Sequence, residues 1–324
     1  MRSASLPAEL QRFVDERLEE RTTTDLRRSA GELSARYRAA TASGPAARSA
    51  DDIAAYAATR LPATYAAVSV ALDELLRAGF APVSQLDLGT GLGSAVWAAG
   101  ASFGGSLQRV TAIDAVEGML AMAAAAAATS QSDAVRRAEW RRADAARATP
   151  DGPFDLVTAS YVLNELAPAA ALALLARVWS QTAGALVLVE PGTPADYNRM
   201  MAFRRHLIGL GATILAPCPH DLECPMRDDW CHFAVRLPRS AAHRAAKGAK
   251  RGFEDEKFTY VVAVREEDPD RGAPRILRHP LVRPGHVRFQ LCDPSGDLRE
   301  QTVARSDPGY RTARKLSWGD RFEE

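Results

Sequence analysis

The hydrophobic pattern changes character three times along the chain. Through the first 80 residues apolar positions recur at helical spacing, in an amphipathic stretch from Pro7 to about Arg28, a second from Ala30 to Ala40 and a third from Asp51 to Ala78. Residues 43–49 (SGPAARS) read as a loop. Pro62 falls within the third stretch and is expected to end or kink it, with Thr64 near the cap of a restarted helix. From residue 83 short apolar runs alternate with helical ones, predicting strands at 83–88, 109–113, 139–142, 154–160 and 185–189 and helices at 94–100, 116–128 and 168–180. Such alternation indicates an α/β fold with a parallel, doubly wound sheet. After Pro191 a helix over 195–210 leads into PCPHDLECPMRDDWCHF, and strands are predicted at 258–265, 286–292, 298–304 and 311–316. The expected organisation is a helical N-terminal extension (1–80), an α/β domain (81–212) and a small β-rich C-terminal region (213–324).

A length of 324 residues permits one large domain with additions, or two domains. The hydrophobic fraction of 47% is that of a globular protein. The net charge of +1 conceals two basic stretches, 236–251 and 311–321, whose placement points to an anionic partner where the total does not. The first twenty residues have no apolar h-region, so no secretory signal is expected. The alanine-rich run at 119–129 is too short to span a bilayer, which argues against a membrane partner. A cytoplasmic location follows as the expectation. In that reducing compartment four cysteines are metal ligands before they are disulfides.

The segment LDLGTGLGSA (86–95) follows a predicted strand and opens a helix. Gly89, Gly91 and Gly93 allow a tight turn and admit a ligand where a side chain would collide. Their G-x-G-x-G spacing fits the dinucleotide fingerprint poorly and lacks the lysine of a P-loop. Together with Asp87 it resembles motif I of class I, Rossmann-like methyltransferases. In that family the acid at Asp87 contacts the methionyl end of S-adenosylmethionine. Asp114, closing the second strand, would take the ribose hydroxyls, and Asp144 stands where the family contacts adenine. A helix cap is the plainer role for Asp114. After the fourth strand the chain reads S-Y-V-L-N-E-L (160–166) in place of the D/N-P-P-Y/F of many N-methylating enzymes, and no cysteine nucleophile precedes Cys218. Asn164 and Glu165 are the weak catalytic candidates there.

Cys218, Cys224 and Cys231 share one short segment, and Cys292 is the only other cysteine. Four thiolates bind zinc or an iron–sulfur cluster. Gaps of five and six residues are wider than zinc knuckles and favour the larger [4Fe–4S] group, with zinc as the alternative. Between Cys231 and Phe253, Arg236, Arg239, Arg244, Lys247, Lys250 and Arg251 follow one another with no acid among them, a cluster able to contact an RNA backbone. No DNA partner is expected.

These pieces together resemble the methyltransferase-like family of mitochondrial ribosomal small-subunit assembly proteins, which has bacterial relatives. The likeness rests on R-x-P-A-T-Y at 60–65, D-x-G-x-G-x-G at 87–93, L-V-L-V-E-P-G-T-P at 186–194, C-P-H-D at 218–221, W-C-H-F at 230–233 and K-L-S-W-G-D at 315–320. It implies binding to small-subunit ribosomal RNA during assembly and a [4Fe–4S] cluster on the four cysteines. Methyl transfer to that RNA and non-catalytic assembly share these features; a zinc-containing small-molecule methyltransferase is a remote third reading.

Overall fold

The computed structural model describes residues 3–39, 47, 49–147, 152–266 and 272–323. Three helices open the chain: α1 (Ala8–Leu18), α2 (Thr23–Ala39) and α3 (Ala50–Arg77). The break between the first two falls near residue 20 and not at 28–30, because the Thr22 hydroxyl accepts the Asp25 amide at 3.1 Å and starts a new helix. Helix α3 runs unbroken through Pro62, contrary to expectation. Leu61, Ala63, Thr64, Tyr65 and Ala66 are all buried there, and that packing outweighs the ~3 kcal/mol that an interior proline costs a helix. The R-x-P-A-T-Y stretch is thus a helix face, packed beside the glycine loop, where the Ser94 hydroxyl donates to the Leu61 carbonyl at 3.3 Å.

Next come β1 (Ser84–Leu88), α4 (Ser94–Phe103), β2 (Arg109–Asp114), α5 (Glu117–Ala127), α6 (Asp133–Arg136), β3 (Glu139–Arg142), β4 (Phe154–Ser160), α7 (Pro168–Ser180), β5 (Thr182–Pro191) and α8 (Pro194–Gly209). Strands β3-β2-β1-β4-β5 lie parallel in that order, with β1 and the centre of β5 buried throughout, as parallel strands covered on both faces must be. The sheet continues through residues 213–264: β6 (Thr213–Ala216), β7 (Phe233–Pro238), α9 (Ala241–Lys247) and β8 (Phe253–Val264). Strand β8 is antiparallel to β5 on one edge, and β6 and β7 pair end to end along its other edge. The boundary expected at 212/213 therefore falls inside this sheet, whose parallel part has the 3-2-1-4-5 strand order of a Rossmann-like α/β fold.

A second, four-stranded antiparallel sheet holds β9 (Arg275–Ile276), β10 (Leu281–Arg283), β11 (His286–Cys292) and β12 (Leu298–Ala304). With α10 (Tyr310–Ala313) it surrounds a small core of Ile276, Val287, Phe289, Leu291, Val303 and Phe322. The strand expected at 311–316 is this short helix and a turn: the Ala313 and Arg314 amides bond back to the Gly309 and Tyr310 carbonyls. No helix among the described residues is long and apolar enough to cross a membrane.

One buried ion pair joins the second sheet to the helical layer. Glu74 of α3, fully buried, accepts from both terminal nitrogens of Arg275 at 3.0 and 3.1 Å. The same guanidinium donates to the Pro217 carbonyl at 2.9 Å and the Gly319 carbonyl at 2.8 Å. It thereby pins the cysteine segment and the K-L-S-W-G-D tail to the helical layer.

Candidate functional site

Parallel sheets bind ligands beyond the carboxyl ends of the strands, where the strand order reverses. Here that point lies between β1 and β4, and a pocket opens there. Its walls include Gly89, Gly91, Asp114, Asp144, Tyr161 and Glu165, closed over by Tyr37 and Tyr56 from α2 and α3. Gly89 and Gly91 both have positive φ, and a Cβ on Gly89 would stand 2.4 Å from Val162, so only glycine serves. Gly93 is not among the residues lining this pocket: it sits at the N-cap of α4, where a Cβ would meet Trp140 at 2.8 Å. Asp87 also stays behind the loop. It accepts the Thr158 hydroxyl at 2.7 Å, and burial raises its carboxyl to about 6.

Asp114 accepts the Gly91 amide at 2.8 Å and the Val116 amide at 2.8 Å, which holds the glycine turn against β2. Burial raises its pKa, and these amides oppose the rise. It is both the cap and a pocket wall. Asp144 accepts the Ala146 amide at 2.9 Å and stays exposed. Asn164 and Glu165 form a short 3-10 turn, but they separate: Glu165 lines the pocket, whereas Asn164 is not among its lining residues and its carbonyl is bonded by Arg199 at 2.7 Å. Glu165 opens to solvent on one side. Desolvation at the wall, with the Asp114 charge second, raises its carboxyl to about 7. Tyr161, beside it, is the one non-glycine residue with positive φ among the described residues, and its hydroxyl meets Glu256 at 3.0 Å.

The cysteines converge. Residues 217–232 leave the sheet between β6 and β7, and Cys218, Cys224 and Cys231 meet Cys292 of β11 in one pocket with His220, Met201, Tyr260 and Arg275. Burial foremost, then the charges of the neighbouring sulfurs, raises Cys292 to about 12 and Cys231 well above the ordinary thiol range. Free Cys231 and Cys292 thiols stay protonated here, and a bound metal's positive charge is what would hold them as thiolates. Among the described residues no three His, Cys, Asp or Glu groups are close enough to hold one metal ion. The metal site expected of the C-terminal region is therefore not formed as a closed coordination shell; what the described residues hold there is four thiols lining one pocket. The donor set, all sulfur with guanidinium groups beside it, fits an iron–sulfur group in kind.

The basic run folds differently from expectation. Antiparallel pairing of β7 with β8 brings acids opposite the cations: Arg236 bonds Asp255 at 2.7 and 2.9 Å, and Arg239 bonds Glu254 at 3.0 Å. Lys247 also pairs with Glu254. Half of the six cations are neutralised in this way. Arg244, Lys250 and Arg251 stay exposed and make no ion pair among the described residues. Sequence reading missed Glu74, Arg275, Arg204, Tyr197 and Tyr56. Each is a single residue in an otherwise ordinary helix or strand, and no motif marks it.

The chain is similar to several known proteins. The human mitochondrial ribosome assembly protein METTL17 is 32% identical over 287 residues, covering 82% of this chain and 61% of that protein. The ribosome assembly protein RSM22 of Saccharomyces cerevisiae is 41% identical over 63 residues, 19% of this chain and 10% of that one. This chain spans about three fifths of the human relative's length. Among solved structures, magnesium protoporphyrin IX methyltransferase of Synechocystis overlays with a TM-score of 0.42 at 15% identity, covering 75% of this chain and 99% of that one. A likeness that distant bears on neither substrate nor reaction. Residues 50–323, from the start of α3 to the tail, match the family described as mitochondrial small ribosomal subunit Rsm22, and the chain belongs to that family.

Proposed function

We propose that this protein acts in assembly of the small ribosomal subunit, with a [4Fe–4S] cluster on Cys218, Cys224, Cys231 and Cys292 and S-adenosylmethionine in the pocket between β1 and β4. The observation that carries the reading is the convergence of all four cysteines, from two distant segments, on one pocket of an Rsm22-family chain. When bound, the cluster would supply a covalent tie between the 217–232 loop and β11. Cys218, Cys224 and Cys231 would hold the loop side, and Cys292 the β-module side. Protein purified without oxygen is expected to contain about four irons and matching sulfide per chain, and Cys224→Ser to lose most of both. A wild-type protein with one zinc and no sulfide overturns the cluster and revives the small-molecule methyltransferase reading. The exposed Arg244, Lys250 and Arg251 support contact with ribosomal RNA phosphates. Association with small subunits should then weaken steeply as salt rises.

Asp114 and Glu165 make the cofactor pocket acidic, which suits a ligand carrying a sulfonium charge. Desolvation raises the Glu165 carboxyl to about 7, so affinity for S-adenosylmethionine should climb as pH rises toward that value and level off above it. S-adenosylhomocysteine, without the sulfonium, should show a flatter profile, and Glu165→Gln should flatten the difference. If calorimetry shows both ligands tracking each other with pH, Glu165 does not face the cofactor.

Methyl transfer to ribosomal RNA is the second reading, favoured by the same residue: a carboxyl titrating near 7 at the pocket wall suits a general base. A labelled-methyl assay on immature small subunits decides it. Repeated absence of transfer leaves the assembly role alone.

A further inference from the structure

Helix α8 turns one face toward the cysteine pocket, carrying Tyr197, Met201 and Arg204 at the spacing that aligns side chains along a helix. Met201 lines the pocket itself. The Tyr197 hydroxyl lies 3.2 Å from Cys224 Sγ, and the Arg204 guanidinium stands beside Cys218. Arg204 is 4% exposed. It donates to the His220 carbonyl at 2.6 Å, yet makes no ion pair with a carboxylate among the described residues, and its Nε–H has no partner there. A buried guanidinium with no anion is costly. Arg275, whose charge also acts on Cys218, is answered by Glu74. The charge of Arg204 has no such answer, and the sulfur pocket is where a negative charge can stand beside it.

We propose that Tyr197 and Arg204 are the residues that stabilise the negative charge of the four-thiolate site and set its reduction potential, the hydroxyl through Cys224 and the guanidinium through Cys218. The assignment rests on the cluster reading above. Once Cys224 is a thiolate its sulfur can only accept, so the tyrosine must donate. Hydrogen bonds and positive charge beside an iron–sulfur group favour its more negative, reduced state and so raise the potential.

The test is an anaerobic redox titration of the full chain, followed by electron paramagnetic resonance, with iron and sulfide measured on each sample. A wild-type protein without iron and sulfide sinks the cluster reading and this assignment together. With the cluster present, Tyr197→Phe removes one oxygen and keeps the ring, and it should lower the midpoint potential at unchanged iron content. Arg204→Lys keeps the charge but not the planar fork of donors, and should lower it part of the way; Arg204→Gln should lower it further. A merely structural role would change iron content or melting temperature and leave the potential where it was. Tyr197→Phe and Arg204→Lys both at the wild-type potential overturn the proposal, and these two decide it if Arg204→Gln does not fold.

Discussion

Glu74→Ala is expected to cost about 3–5 kcal/mol of stability, the range for removing one partner of a buried ion pair. The carboxylate is fully buried and answers Arg275, with Arg77 at 2.8 Å and Arg321 at 3.5 Å beside it. Without it, Arg275 keeps its carbonyl partners at Pro217 and Gly319 but loses its anion. Against a usual domain stability of about 5–15 kcal/mol, the loss should be read easily as a lower urea midpoint at an unchanged slope. The first region to open should be the seam among α3, the cysteine segment and the tail. A loss below about 1 kcal/mol, the scale of exposed pairs, would show that the pair does not tie the second sheet to α3.

Gly91→Arg is expected to abolish S-adenosylmethionine binding, weakening it by at least about 100-fold, or ~2.8 kcal/mol. Gly91 has φ near +53°, and even a Cβ would stand 3.0 Å from the Tyr56 hydroxyl. A longer side chain has nowhere to go except the pocket that Gly91 lines. The residue lies in a turn, where the left-handed backbone costs a non-glycine residue ~1–2 kcal/mol, so the fold should survive. Calorimetry giving unchanged affinity for the folded variant refutes the pocket as the cofactor site.

The parallel strands were legible because buried strands write continuous apolar runs, as at 185–189, and the glycine turn because positive φ leaves glycine in the sequence. Pro62 misled because helix-breaking is a local preference, while the burial of both flanks of α3 is a tertiary fact. Strand β7 was written plainly in alternation, with Phe233, Val235 and Leu237 inward, but its outward arginine was counted as part of a charge run. The acids that quench that run stand just beyond it, at 254 and 255. Only the register of β7 with β8 brings them opposite Arg236 and Leu237. The thiol pocket was legible as a residue count. What surrounds it was not, because Arg204 and Tyr197 sit on a helix whose sequence announces only that it is a helix.

Strands β6 and β7 follow one another along a single edge of β8, with Ala216 opposite Val262 and Phe233 opposite Phe258. Both therefore belong to what is geometrically one interrupted strand, and residues 217–232 are a detour in it. The gap on β8 is only Thr259, Tyr260 and Val261, so a short bridge would restore an uninterrupted edge. The sheet takes its alignment from the pairs on either side, not from the detour. The strand pairing of the scaffold thus does not depend on the segment that carries Cys218, Cys224 and Cys231.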